Sequence, residues 1–205
     1  MKKRYITIKA VFHLLFAISS ATVGAIIASW PLLLISMNVQ KTNEIVKMPV
    51  MKVMHNYNQL LLYLVWPFIN KLKMANFPTS INAAEHFSEV KVLLELAIIV
   101  FIVGLLIYWW LGKRKINLSI SKPLIIVFIL LPIVVLPLAL TNFDSFFVAF
   151  HHLFFHNSNW LFDPATDPII DVLTEEFFAA CFAVAGIIYE LYFVHLFIKN
   201  KDLLF

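Results

Sequence analysis

Long apolar stretches separated by polar segments dominate the pattern of this chain. A helix needs about 20 mainly apolar residues to cross a bilayer. Four stretches come close to that length or exceed it, and they lie at about residues 6–35, 90–111, 123–140 and 176–198. The pattern therefore predicts an all-α integral membrane protein with four transmembrane helices.

Two polar segments between these stretches are too long to be simple turns. They cover about residues 36–89 and about residues 141–175. In the first segment, YNQLLLYLVWPFINKLK has a short apolar core that a proline interrupts, so it is too short to span and suits the membrane interface. Its Tyr63, Trp66 and Phe68 suit the headgroup level. We expect residues 36–89 to form a cap.

The composition supports a membrane protein and excludes other classes. Of the 205 residues, 61% are hydrophobic and 14% are charged, which is typical of one helical membrane domain over residues 1–205. The formal net charge is +4, but the basic residues fall in short clusters between apolar runs, which does not suit a nucleic-acid partner. The single cysteine, Cys181, excludes a disulfide within one chain.

Lysine and arginine mark one side of the predicted bundle. In the short loops and near the ends of the chain they occur at residues 2–4, between 113 and 122, and at 199–201, while the lysines of the long segment 36–89 say little about topology. Short loops rich in these residues stay in the cytoplasm, and the segment 141–174 contains neither. The charges therefore predict a multi-pass protein of the plasma membrane with cytoplasmic N and C termini and an extracellular cap.

A histidine-rich stretch, FHHLFFHNSNWLFDPATDPIID, lies in the second outer segment. Neighbouring His151 and His152 point about 100° apart on a helix, so only one of them faces a given site. His152 and His156 share a helical face at metal-ligand spacing, although the glutamate of the H-E-x-x-H motif is missing. His86 or Asp163 would extend this pair towards a zinc site. A histidine-ligated metal protein is therefore one alternative.

His86 lies in EHFSEVK, just before the second predicted span and on the outer side. Glu89 follows one helical turn later on the same face, where its carboxylate would fix the tautomer of the imidazole. The alternative is two polar residues at a solvated helix start. The other histidine-rich segment lies on the same side of the membrane, which favours a shared site.

Two aspartate-proline pairs follow the histidines, Asp163 with Pro164 and Asp167 with Pro168. Aspartate at the N-cap and proline at the first helical position are typical of a helix start. The pattern therefore predicts a structural role for both aspartates.

Aromatic side chains surround the polar residues of the second outer segment, among them Phe154, Phe155 and Trp160. An interfacial belt explains many of them. Histidines embedded among aromatic side chains instead favour a pocket for acyl chains with proton-transfer chemistry at its polar end. A membrane protein that binds lipid or a partner without catalysis remains an alternative.

The stretch FHHLFFHNSNWLFDPATDPIID followed by LTEEFF, with HFSEVK upstream, resembles the lipoprotein intramolecular transacylases of Gram-positive bacteria. The resemblance implies a four-helix membrane enzyme whose site lies between cap and membrane and uses two histidines. These would be His86 and His151, with His152 a rival for the second role. The sequence departs from the family pattern at Glu89, where aspartate is usual, and at Phe87 and Thr174, where methionine and proline are common.

The resemblance also implies the substrate. It is a lipoprotein with diacylglyceryl on its N-terminal cysteine, whose sn-2 acyl chain moves from the glycerol oxygen to the α-amine and leaves the lyso-form. The substrate supplies its own nucleophile, so neither a cofactor nor a metal is expected. Candidate oxyanion donors include Asn157, Asn159 and the Trp160 indole. The candidate substrate-binding residues are Glu89, Phe154, Phe155, Asn157, Trp160, Asp163 and Tyr57.

Overall fold

Helices form nearly all of the regular structure. The computed structural model describes residues 2–199, with side chains at 7–134 and 141–199. The α-helices in that range are α1 (Lys2–Gln40), α2 (Thr42–Ile45), α3 (Val50–Val65), α4 (Ile81–Lys113), α5 (Lys122–Thr141), α6 (Phe143–Phe154) and α7 (Glu175–Lys199). A 3-10 helix, Pro168–Asp171, precedes α7, and residues 2–199 contain no strand. The predicted all-α class is confirmed.

Three helices of the described chain, α1, α4 and α7, are long and apolar enough to cross a membrane. Helix α5 forms where the third span is predicted. The side chains of residues 135–140 lie outside the described ones, so a fourth crossing stays a prediction.

Helix α4 begins well before the predicted start of its span. The Ser80 hydroxyl oxygen accepts from the Ala83 N–H at 3.1 Å and caps the helix. The helix has 33 residues, and at 1.5 Å per residue it is about 50 Å long, which exceeds the roughly 30 Å of a bilayer core. The early start therefore places the polar EHFSEVK segment on the same rigid rod as the span.

The first long polar segment, about residues 36–89, folds as a compact cap around α3. Val53, Tyr57, Leu60 and Leu64 bury one face of this helix at helical spacing. That face belongs to one apolar cluster with the end of α1, the start of α4 and the start of α7. The cap is therefore continuous with the core of the helical bundle.

One prediction for the cap is wrong. Tyr63 is only 4% exposed and lies in the apolar cluster, whereas Trp66 and Phe68 are 52% and 80% exposed. Helix α3 ends at Val65, before Trp66 and Pro67. Pro67 disfavours helical backbone at Trp66, so the helix ends at Val65. Tyr63 is still within the helix and lies on its buried face.

The two aspartate-proline pairs do not cap helices through their side chains. No helix begins after Asp163, whose Oδ1 accepts from the Ala165 N–H at 2.9 Å in a turn. Asp167 does precede the 3-10 helix, but its Oδ1 accepts from the Ser80 N–H at 2.6 Å. The N-cap prediction is therefore wrong for Asp163 and right only in position for Asp167.

A buried polar cluster ties α1 to α4 and α7 far from the cap. His13 is fully buried, and its Nε2–H donates to the Leu118 carbonyl at 2.9 Å. Its Nδ1 lies 2.6 Å from the Tyr192 hydroxyl oxygen and 3.0 Å from that of Tyr108, and these two hydroxyls also hydrogen-bond to each other. Each ring nitrogen of His13 thus has a partner, as a polar group buried in a helical bundle requires.

Candidate active site

His86 and His151 come together on the side of the bundle where the cap lies. His86 is in the second turn of α4, and His151 is near the end of α6. Their ring centroids are 5.6 Å apart, and the two residues are 6% and 7% exposed. Two imidazolium charges at this distance would repel each other, so the pair favours at most one added proton.

Aromatic rings enclose the histidine pair. The Phe155 ring meets His86 edge to face at a centroid distance of 4.6 Å, and Phe162 meets it at 5.7 Å. The Trp160 ring stacks on His151 at 4.7 Å. These walls exclude water from most of both rings, which strengthens electrostatic interactions within the site.

A backbone contact sets the tautomer of His151. Its Nδ1 lies 2.8 Å from the Phe147 carbonyl oxygen, which can only accept, so Nδ1 carries a proton. In the neutral ring, Nε2 then holds the lone pair. Burial lowers the pKa of His151, the bond to Phe147 partly offsets this, and the charge of neighbouring His152 adds to it. The ring therefore stays neutral at neutral pH, with one nitrogen free to take a proton.

His86 and Glu89 face each other without a hydrogen bond. The distance from His86 Nδ1 to Glu89 Oε2 is 3.9 Å. Both atoms are buried, and neither has a hydrogen-bond partner among the described residues. The i, i+3 contact predicted for this pair is present, but it is too long to fix the imidazole tautomer.

The loop after α6 is fastened to the N-terminal end of α4 by two carboxylates. Asn157 Nδ2 donates to Glu89 Oε1 at 2.8 Å, and Asn159 Nδ2 donates to Glu85 Oε2 at 2.9 Å. The Trp160 indole N–H donates to the Asn157 carbonyl at 3.0 Å. Because this is the only N–H of the indole, an oxyanion role for Trp160 would require that bond to break.

An open cleft of about 360 Å³ adjoins the histidine pair. Its polar lining residues are Glu89, His156 and Asn157. Its apolar walls are formed by Val92, Leu93, Phe154 and Phe155. Phe155 is shared, since the same ring also packs against His86. The cleft therefore joins an apolar surface to the edge of the histidine site.

Three of the predicted site residues lie apart from the pair. The exposed His152 touches the Trp160 ring edge to face at 5.5 Å. Asp163 is exposed in its turn. Tyr57 is buried in the cap, where its hydroxyl donates to Ser29 Oγ at 2.6 Å and burial raises its pKa. The other predicted site residues, Glu89, Phe154, Phe155, Asn157 and Trp160, line the cleft or contact the pair.

The metal alternative finds no ligand set in the described part of the chain. No three His, Cys, Asp or Glu side chains there are grouped closely enough to hold a metal ion. The His152 and His156 pair therefore has no third partner of these types.

The comparison with known protein families decides the class of protein. The family model described as lipoprotein intramolecular transacylase Lit matches residues 7–178. The chain belongs to the Lit family. The match covers both histidines, Glu89 and Asn157, and it assigns the chain to the membrane acyltransferases.

Solved Lit structures share this fold. The membrane-integral lipoprotein intramolecular transacylase Lit from Bacillus cereus, solved in meso, matches with a TM-score of 0.84 at 24% identity, covering 98% of this chain and 94% of that chain. A variant of that protein with one histidine replaced by alanine matches with a TM-score of 0.69 at 26% identity, covering 96% and 90% of the two chains. No curated protein sequence matches significantly. The fold and the apolar helices make this Lit family member a multi-pass membrane protein.

Sequence reasoning missed one structural contact of this Lit family member, which is made by Lys91. Its ammonium donates to the backbone carbonyls of Tyr63 at 2.6 Å, Trp66 at 2.7 Å and Ile69 at 3.0 Å. It also pairs with Glu95 at 3.1 Å. Lys91 thus anchors the end of α3 and the following loop to α4. The only signal in the sequence is a lysine placed at the edge of an apolar run.

Proposed function

We propose that this chain moves the sn-2 acyl chain of a diacylglyceryl-modified lipoprotein to the α-amine of its N-terminal cysteine. The product would be the lyso-form lipoprotein. The transfer would use His86 and His151 as proton carriers. The observation that carries this proposal is the buried histidine pair, with ring centroids 5.6 Å apart in an aromatic enclosure.

The chemistry of the transfer needs proton carriers rather than an enzyme nucleophile. The α-amine nitrogen attacks the ester carbonyl carbon, the new C–N bond forms, and the bond from carbon to the glycerol oxygen breaks. The nitrogen loses one proton and the glycerol oxygen gains one, so the site is unchanged after a turnover. His151 Nε2, with Nδ1 held by Phe147, is suited to this proton transfer.

Positioning supplies the rest of the catalysis. The amine and the ester belong to one molecule but are separated by several bonds, so holding them together removes an entropic cost. The cleft offers walls of hydrocarbon and aromatic side chains to the acyl chains, and it meets the histidines at Phe155. A lipid substrate would therefore have its apolar part and its reacting part held by adjacent surfaces.

The orientation of the site belongs to the same proposal. Lysine and arginine residues cluster between 113 and 122, at the end of α4 opposite His86. The positive-inside rule supports an extracellular position for His86, the cap and α6. The lipid chains at the N terminus of a lipoprotein insert into the membrane. A site beside the outer leaflet would therefore be close to the modified N terminus of a lipoprotein anchored in that leaflet.

The direct test is a transfer assay with purified protein and a synthetic diacylglyceryl-cysteine lipopeptide. Because the shift is intramolecular, the total mass is unchanged, and fragmentation mass spectrometry must locate the acyl group. We expect the acyl group on the α-amine and its loss from the sn-2 position. A free amine after incubation, while an active transacylase acylates the same peptide in parallel, would contradict the proposal.

Two substitutions connect the assay to the site. His86→Ala and His151→Ala should each abolish most of the transfer. Thermal melting should show that both variants remain folded. If the protein binds lipid without catalysis, neither the unmodified protein nor the two variants would give a transfer product. Transfer that survives both substitutions would contradict the histidine mechanism even if the activity is real.

A further inference from the structure

An exposed aromatic pair follows helix α3 in the cap. Trp66 and Phe68 are 52% and 80% exposed, and their rings meet edge to face at a centroid distance of 6.0 Å. Exposed clusters of large apolar side chains mark surfaces that bind a membrane or a partner. The loop of residues 66–73 therefore presents a candidate docking surface.

Contacts with α4 fix the level of this loop along the bundle. The Lys91 ammonium donates to the Trp66 carbonyl at 2.7 Å and to the Ile69 carbonyl at 3.0 Å. Lys91 lies where the apolar run of α4 begins. The loop is therefore held at the level of the start of the span.

The other end of the span gives a second reference point. Trp109 is 61% exposed, and the Lys113 ammonium lies over its ring, 3.9 Å from the centroid. Exposed tryptophan beside lysine is typical of a membrane–water interface. From Lys91 to Trp109 is 18 residues, which at about 1.5 Å each is about 27 Å, close to the roughly 30 Å of a hydrocarbon core. With Trp109 at one interface, Trp66 and Phe68 lie at the other.

The charge of the cap selects the kind of lipid. Residues 45–84 contain no Asp or Glu, but they contain lysines at 47, 52, 71 and 73. Lys71 and Lys73 are exposed, and neither takes part in an ion pair among the described residues. Lys71 follows Ile69 by two residues, so its backbone lies within about 7 Å of the contact with Lys91. Lysines without acidic partners beside a bilayer surface attract anionic headgroups.

We infer that the loop of residues 66–73 anchors the cap in the adjacent leaflet by binding anionic phospholipid. Trp66 and Phe68 enter the boundary between headgroups and hydrocarbon, and Lys71 and Lys73 bind the lipid phosphates. Lipid fits this surface better than a protein partner does, because the loop lies at the depth where lipid surrounds the bundle. The anchoring does not depend on the transfer reaction.

A fluorescent label measures the depth of the loop. Asn70→Cys in a Cys181→Ala background takes an environment-sensitive label in the middle of the loop. The full-length protein is placed in nanodiscs whose lipid chains are brominated near the headgroup. Asn82→Cys is the matched control, because Asn82 is also exposed but lies nine residues of α4, or about 14 Å, beyond Lys91. Bromine should quench the label at position 70 strongly and the label at position 82 little.

A second measurement determines the lipid preference. The nanodiscs contain equal amounts of phosphatidylglycerol and phosphatidylcholine, with bromine on only one of the two. Each lysine near an anionic surface contributes about a fivefold preference, so phosphatidylglycerol should be enriched about fivefold or more around position 70. Lys71→Gln, Lys73→Gln and added salt should each lower this enrichment.

Two further variants separate charge from insertion. Lys41→Gln removes an exposed lysine that follows the end of α1 and should leave the enrichment unchanged. Phe68→Ser should weaken quenching by both lipids, because it removes an inserted ring without changing the charge.

Three results would overturn the inference. A label at position 70 that is quenched no more than one at position 82 would remove the loop from the interface. Equal quenching by both lipids, or enrichment that persists in both Lys71→Gln and Lys73→Gln, would overturn the anionic-lipid site. A label at position 70 that is shielded from aqueous iodide, yet is quenched by neither lipid, would show that protein covers the loop instead.

Discussion

Replacing Lys91 with methionine tests whether the cap is held to α4 by one buried ammonium. Lys91→Met keeps most of the side-chain length but removes three hydrogen bonds to backbone carbonyls and the ion pair with Glu95. The lysine side chain is only 11% exposed, so solvent can replace few of these contacts. We expect a large loss of stability and loosening of the cap.

The magnitude follows from the partners that would be left without a donor. Hydrogen bonds to charged groups contribute about 1.5–3 kcal/mol each, and their sum is an upper bound because the loop after α3 can relax. Removing one partner of a buried ion pair typically costs about 3–5 kcal/mol, which we take as the estimate for Lys91→Met. For a chain of this length that corresponds to a fall in Tm of about 6–20 °C.

Thermal melting in detergent or nanodiscs provides the measurement, with two further variants for comparison. Lys73→Met removes an exposed lysine from the same segment and should change the Tm by less than about 2 °C. Lys91→Arg keeps the charge, but a planar guanidinium fits three converging carbonyls poorly, so it should rescue only part of the loss. A Tm for Lys91→Met equal to that of Lys73→Met would refute the anchoring role.

Three further outcomes are expected. His151→Asn should reduce transfer about 10²–10⁴-fold, whereas His152→Asn should retain most of it. If mass spectrometry shows the larger loss in His152→Asn instead, His152 is the second catalytic histidine. Burial lowers the pKa of His151, so the unfolded chain binds its proton first and stability should fall as pH drops below about 6.5. Melts from pH 7.5 to 5 should show this fall, and less of it in His151→Phe; equal slopes would contradict it. Gly104→Ala would press a methyl into the Phe16 ring and cost about 1–3 kcal/mol, while Gly186→Ala, with open space around it, should be neutral or stabilising; equal melts would contradict this packing.

Apolar length predicts helices well because each span must satisfy its backbone internally. It predicts their ends less well, and α4 shows why. A hydropathy pattern counts only the apolar part of the helix, from about residue 90. The helix itself starts at Ile81 because Ser80 caps it and because Ala83 and Phe87 bury their side chains against the cap. Such burial depends on chain segments distant in sequence.

The candidate site divides in the same way. His86 and His151 are recognisable from their local motifs, and the structure brings them together. Asp167 follows a local rule for helix starts, yet its carboxylate bonds to Ser80, which no local pattern indicates. Lys91 is harder still, since a buried lysine is predictable only when its three carbonyl partners are known. Local chemistry is thus readable from sequence, whereas the contacts that position it are not.

These long-range contacts explain how a site without an enzyme nucleophile would achieve its precision. Three contacts fasten the N-terminal part of α4: Asp167 holds the Ser80 N–H at the helix start, Asn157 holds Glu89, and Lys91 holds the end of α3. His86 lies between the first and second of these fastenings, on a rigid helix. If catalysis is mainly positional, an error of about 1 Å can cost about 100-fold in rate. Contacts from three chain segments along the first turns of α4 suit that requirement better than a single strong contact, because each limits the movement of the helix that carries His86.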